Sequence, residues 1–321
     1  MNTTKNGVEE LDALCASYQS VKSEISKIII GQDDVVKAVL MAIFSNGHCL
    51  LVGVPGLAKT LLIQTLAQAL DLSFNRVQFT PDLMPSDILG AEVFGDDRNF
   101  KFIKGPVFAN IVLADEINRT PPKTQSALLE AMQERAVTVA GVSHRLPAPF
   151  FVLATQNPIE QEGTYPLPEA QLDRFMFNIV LEYPTLEQEI AVVKSTTGTH
   201  PVSVQKIMGA QEILKFQQLI RGLPITDHVL EYAVRLATKT RPNTPLATLE
   251  VNKFLNWGAG PRASQQLVLG AKCHAAIQGK YAPDVEDVQA VAINVLRHRI
   301  VRNYKAEAEG MTVEKIITNL F

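Results

Sequence analysis

The loop between Gly53 and Thr60 carries residue types that suit it to holding a phosphate group. The apolar run Cys49–Val52 predicts a buried strand before the loop, and apolar residues at helical spacing over 62–70 predict a helix after it. A strand, a glycine-bearing loop ending in Lys-Thr, and a helix together form the context of a phosphate-binding P-loop. Backbone N–H groups at a helix N-terminus carry partial positive charge and point at an anion. The stretch therefore predicts a nucleoside triphosphate site.

Two side chains at the end of this loop have specific predicted roles. Lys59 would reach the β- and γ-phosphates of the nucleotide, and the Thr60 hydroxyl would hold Mg²⁺. The usual pattern has glycine before the lysine, whereas this chain has Ala58, and alanine tolerates positive φ poorly. On this stretch alone, a tight turn that happens to carry a lysine is the structural alternative. The predicted ATP-binding residues of the loop are Gly53, Val54, Pro55, Gly56, Leu57, Ala58, Lys59, Thr60 and Leu61.

The second decisive segment is the apolar run Ile111–Asp115 followed by Glu116, which predicts a strand ending in two carboxylates. In a P-loop protein, an Asp at the end of a neighbouring strand holds Mg²⁺, and we predict this role for Asp115. The adjacent Glu116 is predicted to polarise the attacking water as a base. Paired carboxylates at a strand end are common, so this prediction depends on the P-loop about 55 residues earlier in the chain.

Two more polar residues stand next to apolar strands. Asn157 ends the segment that begins at Phe150, and we predict that it orients the lytic water and senses the γ-phosphate. The alternative for Asn157 is a turn asparagine before Pro158. Arg174 precedes the apolar strand predicted over 177–181. It is either an ordinary ion-pair partner or an arginine finger supplied to a neighbouring subunit.

Gly31 and Gln32 stand shortly before the P-loop strand and directly ahead of a predicted helix that Asp33 can cap. A nucleotide base can be held at such a place by backbone and apolar contacts. We therefore include both residues among the predicted ATP-binding residues. A plain turn between two helices is the alternative.

Composition describes an ordinary globular chain. The 321 residues, 46% of them hydrophobic and 20% charged, suggest two domains or one large domain with appendages. No apolar run reaches the roughly 18 residues of a membrane span and no apolar signal core follows the N-terminus, so we expect no membrane insertion and a cytoplasmic location. The 3 cysteines cannot form a disulfide framework, and a net charge of −3 does not favour nucleic acid as a partner.

The segment 80–110 does not fit a plain strand–helix unit. Glycine and proline punctuate it, and two short β-like pieces flank residues 95–99, which predicts a β-hairpin beside a short helix near 86–89. A second hairpin is predicted around Gly141. After Thr185 the pattern becomes helical. The helices predicted in this part are Glu187–Ser195, Ala210–Arg221, Asp227–Lys239, Ala263–Ile277 and Val285–Leu296.

In their order along the chain, these motifs resemble Walker A, Walker B, sensor 1 and the arginine finger of an AAA+ ATPase. The resemblance is closest to the MoxR family, in which Ala before the Walker lysine is frequent. It runs from about residue 28 to residue 300. The segments that carry it are Gly53–Thr60, Ala114–Arg119, Ala154–Pro158 and Leu172–Phe175.

The resemblance implies an α/β fold with a P-loop AAA+ core over residues 1–184. This core would have a five-stranded parallel sheet between helices and two inserted β-hairpins. A C-terminal all-helical lid would cover residues 185–321. Within the lid, Arg262 matches the sensor 2 arginine that reaches the phosphates, with ATP between core and lid of one subunit. The expected activity is Mg²⁺-dependent ATP hydrolysis in a ring homo-oligomer, expected to be a hexamer, with Arg174 supplied by the next subunit.

The MoxR family is linked to chaperone-like assembly and maturation of protein complexes. The resemblance therefore implies protein clients, moved by the two hairpins as the lid closes on ATP, and it suggests a von Willebrand factor A domain protein as a partner. The alternative is a nucleic-acid motor related to minichromosome maintenance helicases, which grip DNA with hairpins. The predicted hairpin tips at 96–98 and 141–145 are not basic clusters, which argues against DNA. A non-hydrolysing nucleotide switch is a third alternative, which Glu116 and Arg174 disfavour.

Overall fold

The computed structural model describes residues 2–94, 99–159, 163–197 and 203–321, so the predicted hairpin tip at 96–98 lies outside the described residues. The helices and strands through the large sheet are α1 (Asn2–Ser26), α2 (Asp33–Phe44), β1 (Cys49–Val52), α3 (Lys59–Ala69), β2 (Phe74–Gln78), α4 (Pro85–Leu89), β3 (Gly90–Phe94), β4 (Phe100–Lys104), β5 (Ile111–Asp115), α5 (Pro122–Glu134), β6 (Ala136–Val139), β7 (Val142–Arg145), β8 (Phe151–Gln156), α6 (Glu169–Leu172) and β9 (Phe177–Val180). Those that follow are α7 (Leu186–Thr196), α8 (Ala210–Gly222), α9 (Asp227–Lys239), α10 (Leu249–Phe254), β10 (Leu255–Trp257), α11 (Pro261–Ile277), α12 (Val285–Leu296), β11 (Val301–Arg302), α13 (Tyr304–Ala308) and α14 (Val313–Thr318). Ile117–Arg119 and Arg297–Arg299 form single 3₁₀ turns.

Five strands form one parallel sheet in the order β2-β5-β8-β1-β9, which confirms the predicted five-stranded core. Strand β8 pairs with β1 on one side and with β5 on the other. Asp115 therefore ends a strand two places from the P-loop strand, and the expectation of a neighbouring strand is wrong. Parallel strands are joined by long crossover connections, so strands that follow one another in sequence need not be sheet neighbours.

Alternate residues of the central strands face two different hydrophobic clusters. Leu51, Leu113 and Leu153 point into a cluster built from α1, α2, α3 and the helices of the C-terminal part. The residues next to them in the strands point into a second cluster with α4, α5 and the hairpins. Because both faces of the sheet are covered, the sequences of its central strands are continuous apolar runs.

Both predicted hairpins are present. Strands β3 and β4 pair antiparallel from Gly90 with Lys104 to Phe94 with Phe100, and β6 pairs antiparallel with β7. The ring of Phe102 stacks on the ring of His144, with centroids 4.1 Å apart. The two hairpins are thus in direct contact.

The C-terminal part is helical, as predicted, and its five long helices match the predicted ones within a few residues. Sequence reasoning missed three short helices and a two-stranded antiparallel sheet formed by β10 and β11. These strands have only three and two residues, too short for an alternating pattern to be visible.

The N-cap of helix α2 lies one residue earlier than predicted. Gln32 occupies the N-cap position without a side-chain capping bond, and Asp33 is already helical, so the prediction that Asp33 caps the helix is wrong. The amide of Gln32 instead donates to the carbonyl oxygen of Leu57 in the P-loop (3.1 Å). Among the described residues, no helix has the length and apolar character that crossing a membrane requires.

Candidate nucleotide-binding site

The P-loop follows β1, and its last two residues, Lys59 and Thr60, are the first two residues of α3. Gly56 has φ +87°, and a Cβ built there meets no atom within 4 Å, so the loop is open at this point. Ala58 has φ +54° and is the N-cap of α3, which means that an alanine occupies the left-handed conformation that glycine normally supplies. Of the other loop residues, Gly53 and Leu57 are buried, Val54 and Thr60 are half-buried, and Pro55 and Leu61 are exposed.

Lys59 lies within electrostatic reach of both predicted carboxylates. Burial lowers the pKa of Lys59, and the charges of Asp115 and Glu116 act in the opposite direction. The ammonium Nζ donates to the carbonyl oxygen of Gly53 (2.6 Å). A half-buried ammonium whose pKa is lowered by burial would be stabilised by an anion in the loop. Both carboxylates are thus near enough to the P-loop lysine for their charges to act on it.

Asp115 is buried at the end of β5, and both of its oxygens accept hydrogen bonds. Arg76 on β2 donates to Oδ2 through Nε (3.1 Å) and Nη2 (2.7 Å). The hydroxyl of Thr155 on β8 donates to Oδ1 (2.6 Å). The carboxylate is therefore fixed from the strands on either side of it.

Glu116 has a left-handed backbone, with φ +57°. Its N–H donates to Oγ1 of Thr155 (2.8 Å), and its carboxylate Oε2 accepts from Gln78 Nε2 (2.8 Å) and Arg119 Nη1 (3.0 Å). A non-glycine residue in this conformation costs energy and is most often found at functional sites. The predicted base is thus held by donors from β2 and from the 3₁₀ turn after it.

Arg76, Gln78 and Thr155 were missed from the sequence. A signal exists for the first two, because polar residues at alternate positions of a strand share one face. Both lie in the half of β2 that pairs with Leu113–Asp115, so their side chains reach the carboxylates. That pairing could not be read before the strand order was known.

Asn157 directly follows β8, the strand between β1 and β5. It therefore lies between the strand of the P-loop and the strand of the carboxylates, as its predicted role requires. It is buried, and its Oδ1 accepts from the N–H of Ile159 (3.1 Å).

Gln32 lies against the P-loop, and Gly31 before it lies against α7. Gly31 has φ +76°, and a Cβ built there would be 2.5 Å from the side chain of Gln188 on α7. The side-chain oxygen Oε1 of Gln32 is buried and has no hydrogen-bond partner among the described residues. Such an acceptor is costly unless it is satisfied, and an amino group of a nucleotide base would satisfy it. The residues present therefore fit a nucleotide.

Arg174 lies far from the P-loop of its own chain. It stands before β9, where the N–H of Met176 donates to the carbonyl oxygen of His48, the residue before β1 (2.8 Å). Arg174 thus lies at the edge where the parallel strands begin, while the P-loop lies where they end. The two edges are separated by the length of the strand between them, and a four-residue strand spans about 13 Å. Its guanidinium Nη1 donates to the carbonyl oxygen of Leu129 (2.7 Å).

Arg262 lies beside Arg174 and not beside the P-loop. Its Nη1 donates to Oδ2 of Asp173 (3.3 Å), and both arginines line one cavity of about 180 Å³ to which no P-loop residue contributes. The expectation that Arg262 reaches ATP between core and lid of its own subunit is therefore corrected. The physical reason is that α11 packs along α2 with its first turn at the strand-start edge of the sheet.

Arg299 fixes the segment that carries Arg174. Its side chain is 2% exposed, and its Nε donates to Oδ1 of Asp173 (2.6 Å). The same guanidinium donates to the carbonyl oxygens of Phe175 (2.8 Å) and Met176 (3.3 Å). This buried arginine gives the 3₁₀ turn after α12 a structural role, because it joins that turn to the segment before β9.

Two family models and several known proteins match the chain. Residues 48–177 match the model of the ATPase family associated with various cellular activities (AAA), and residues 248–320 match the AAA lid domain. The chain is 42% identical over 315 residues to chaperone MoxR1 of Mycobacterium tuberculosis, covering 98% of this chain and 83% of that protein. It is 40% identical to protein YeaC of Bacillus subtilis, covering 92% of this chain and 90% of the other.

A solved structure has the same fold over the whole chain. It is the crystal structure of a candidate ATPase from Cytophaga hutchinsonii, which is 42% identical and superposes with a TM-score of 0.93, covering 100% of this chain and 98% of that one. Identity of this size over nearly the whole length, together with the two matched models, establishes the family. The chain belongs to the MoxR family of AAA+ ATPases.

Proposed function

We propose that the protein hydrolyses ATP with Mg²⁺ in a ring of identical subunits and uses the cycle to remodel protein complexes. The observation that carries this proposal is that the predicted phosphate-binding residues and the two predicted arginines lie at separate places in one chain. Lys59 shares an electrostatic neighbourhood with Asp115 and Glu116, whereas Arg174 and Arg262 lie together at the opposite edge of the sheet. One chain therefore holds half of two different sites, which a closed ring of head-to-tail subunits would complete.

In the proposed site, ATP is gripped by Gly53–Leu61, with its base against Gly31 and Gln32. Glu116 takes a proton from the attacking water as the bond between the γ-phosphorus and the bridging oxygen breaks, and ADP and phosphate leave. Asn157 orients that water. For this to happen, the Glu116 carboxylate must give up at least one of its two donors, Gln78 or Arg119.

Thr60 and Asp115 are the residues that would hold Mg²⁺. Two protein oxygens suit this ion, which keeps several waters and takes its remaining ligands from phosphates. No group of three or more His, Cys, Asp or Glu side chains in the described part of the chain would make a closed metal cage. When bound, Mg²⁺ neutralises charge that develops on the phosphate oxygens.

Arg174 and Arg262 are proposed to act on the nucleotide of the neighbouring subunit. An arginine supplied in this way stabilises the transition-state charge and can be worth about 10³ to 10⁵ in rate. An isolated subunit should therefore be nearly idle. We expect a hexameric ring, by resemblance to the family.

The lid is proposed to begin at residue 185, so that the core covers 1–184 and the lid 185–321. In support, β9 ends at Val180, and Thr185 caps α7 through a reciprocal bond pair with Gln188. The contacting hairpins β3–β4 and β6–β7 are proposed to engage a protein client. A von Willebrand factor A domain protein is the partner that the family suggests, and the free thiols of the cysteines fit a cytoplasmic setting.

The test is the ATPase rate per subunit, measured against protein concentration, with and without DNA, for wild type and Glu116→Gln. A ring predicts a rate per subunit that rises with concentration, is lost in Glu116→Gln and is indifferent to DNA. Strong stimulation by DNA would favour the nucleic-acid motor instead. A Glu116→Gln variant that turns over like wild type would remove Glu116 as the base.

A further inference from the structure

A cavity of about 180 Å³ at the strand-start edge of the sheet is lined by three guanidinium groups. Two belong to Arg174 and Arg262, and the third belongs to Arg135. The other described residues that line the cavity include no Asp or Glu. The residues that line the cavity therefore carry only positive charge, although Arg262 is paired with Asp173 outside it and an adjoining cavity that Arg174 also lines contains two glutamates.

Arg135 is a half-buried cation without a carboxylate partner among the described residues. Burial alone lowers the pKa of Arg135, and no carboxylate offsets that effect. None of the ion pairs between described residues includes Arg135 or Arg174. Partial burial of a charge without a counter-charge costs free energy, and an anion in the cavity would reduce that cost.

The guanidinium of Arg135 is held at this edge by Asn46, shortly before β1. Arg135 ends α5 in the left-handed conformation that is common at helix C-termini, with φ +52°, and its Nη2 donates to the carbonyl oxygen of Asn46 (2.9 Å). This bond satisfies one donor of the guanidinium and leaves its charge without a carboxylate partner among the described residues.

We propose that Arg135 is a third arginine for the terminal phosphate of the ATP held by the neighbouring subunit. This inference rests on the function proposed above, because it needs the cavity to face a neighbour's nucleotide. A terminal phosphate carries several negative charges and presents three oxygens, which suits three converging guanidinium groups. Because negative charge on those oxygens is redistributed during transfer, Arg135 affects turnover more than nucleotide binding.

The test uses mixtures of two defective full-length variants. Lys59→Ala subunits cannot grip ATP but present an intact arginine cavity. Arg135→Ala subunits grip ATP but lack the third arginine. Alone, the Arg135→Ala ring should turn over roughly 10²-fold more slowly than wild type, the usual loss for one preorganised donor. In an equal mixture, roughly one quarter of the interfaces join a sound P-loop to a sound cavity, and ATPase activity should reappear at those interfaces.

One control mixture and one control variant separate this inference from the proposed function. Arg174→Ala mixed with Lys59→Ala tests action between subunits in general, and Arg235→Ala, which changes an exposed arginine of α9, should keep the wild-type rate alone. Binding of a fluorescent ATP analogue to Arg135→Ala, close to wild type, shows that this variant is folded.

Each outcome decides the matter. Recovery in both the Arg135 and the Arg174 mixtures supports the inference. Recovery with Arg174→Ala but not with Arg135→Ala overturns it and leaves the proposed function standing, since Arg135 would then serve only its own chain. Wild-type turnover of Arg135→Ala alone also overturns it. Failure of both mixtures would contradict the proposed function itself.

Discussion

Arg76 donates twice to Oδ2 of Asp115, the residue proposed to hold Mg²⁺. The Arg76 side chain is 47% exposed, so we expect the ion pair to be worth only about 1 kcal/mol. Removing the competing donors in Arg76→Gln should therefore lower the Mg²⁺ concentration for half-maximal ATPase by about fivefold. A magnesium titration of the ATPase rate measures this, with Arg145→Gln as the control. A higher magnesium requirement would mean that Arg76 orients the carboxylate and does not compete for it.

Ala58 adopts φ +54°, a conformation that costs an alanine about 1 kcal/mol more than a glycine. Relief of this conformation in Ala58→Gly should therefore raise the free energy of unfolding by about 1 kcal/mol. The greater conformational entropy of glycine in the unfolded chain should offset part of that gain. Urea unfolding measures the change. The matched control is Ala67→Gly in the interior of α3, where the same substitution should cost at least about 1 kcal/mol. Destabilisation of equal size at both positions would contradict the prediction.

Most residues of the candidate site were predictable because chemistry and spacing are visible in the sequence. The P-loop, the two carboxylates and Asn157 stand at the ends of apolar strands, and parallel strands end at one edge. Arg76 and Gln78 were not predictable, since their partners are set by which strand lies beside β5. Arg262 was placed at the wrong edge because the sequence of α11 says nothing about where α11 packs.

At the scale of elements, His48 joins the start of β1 to α5 and β8. Its Nδ1 accepts from the N–H of Val152 (3.0 Å), so its Nε2 carries the hydrogen that bonds the carbonyl oxygen of Met132 (3.2 Å). Both ring nitrogens are satisfied only in the neutral form. Burial, assisted by the charge of Arg135, lowers the pKa of His48 to about 4.

This histidine should make the fold sensitive to acid. The unfolded pKa is about 6.5, so between pH 6.5 and 4 the unfolded chain binds a proton that the folded chain does not. The stabilisation that neutral His48 gives the fold is fully present above that pH window and is lost as the pH falls through it. The total loss is about 3 kcal/mol of the free energy of unfolding. Between pH 7 and pH 4.5, the free energy of unfolding should fall by about 2 kcal/mol less in His48→Gln than in wild type. Urea unfolding at the two pH values measures this difference.

The control for this prediction is His228→Gln, which changes an exposed histidine of α9 and should follow the wild-type pH dependence. His298 is also buried, and burial lowers its pKa well below the ordinary value, so it adds a loss in the same direction to every variant. If His48→Gln loses as much stability in acid as wild type, the buried neutral state of His48 is not what limits acid stability.

The elements themselves show what periodicity can and cannot reveal. Long amphipathic helices such as α8, α9 and α12 were predicted nearly to the residue. The short strands β10 and β11 were not, because their pairing joins residues about 45 positions apart and carries no local signal. Strand order escaped prediction for the same reason.

At the scale of the whole molecule, the core and the lid share one hydrophobic cluster, which runs from α1 and α2 into α8, α11 and α12. Hydrogen bonds cross the same boundary. Gln217 of α8 donates to the carbonyl oxygen of Ile43 (2.7 Å), and Lys37 of α2 lies 2.8 Å from His274 Nε2 of α11. A lid anchored in this way does not swing freely on its core, because protein interiors are close-packed and resist continuous deformation.

The nucleotide cycle should therefore move subunits against one another more than the lid against its own core. Spin labels at Lys123→Cys on α5 and Glu231→Cys on α9, in a Cys15→Ser background, report the distance within one subunit. We expect this distance to be the same in the ADP state and in the state with a non-hydrolysable ATP analogue. Any difference should be smaller than the width of the measured distance distribution. Labels at Lys123→Cys alone report distances between subunits, which should shift with the nucleotide because Arg174 and Arg262 engage a phosphate only when a neighbour holds ATP. A large change within the subunit and none between subunits would show instead that the lid closes on its own core.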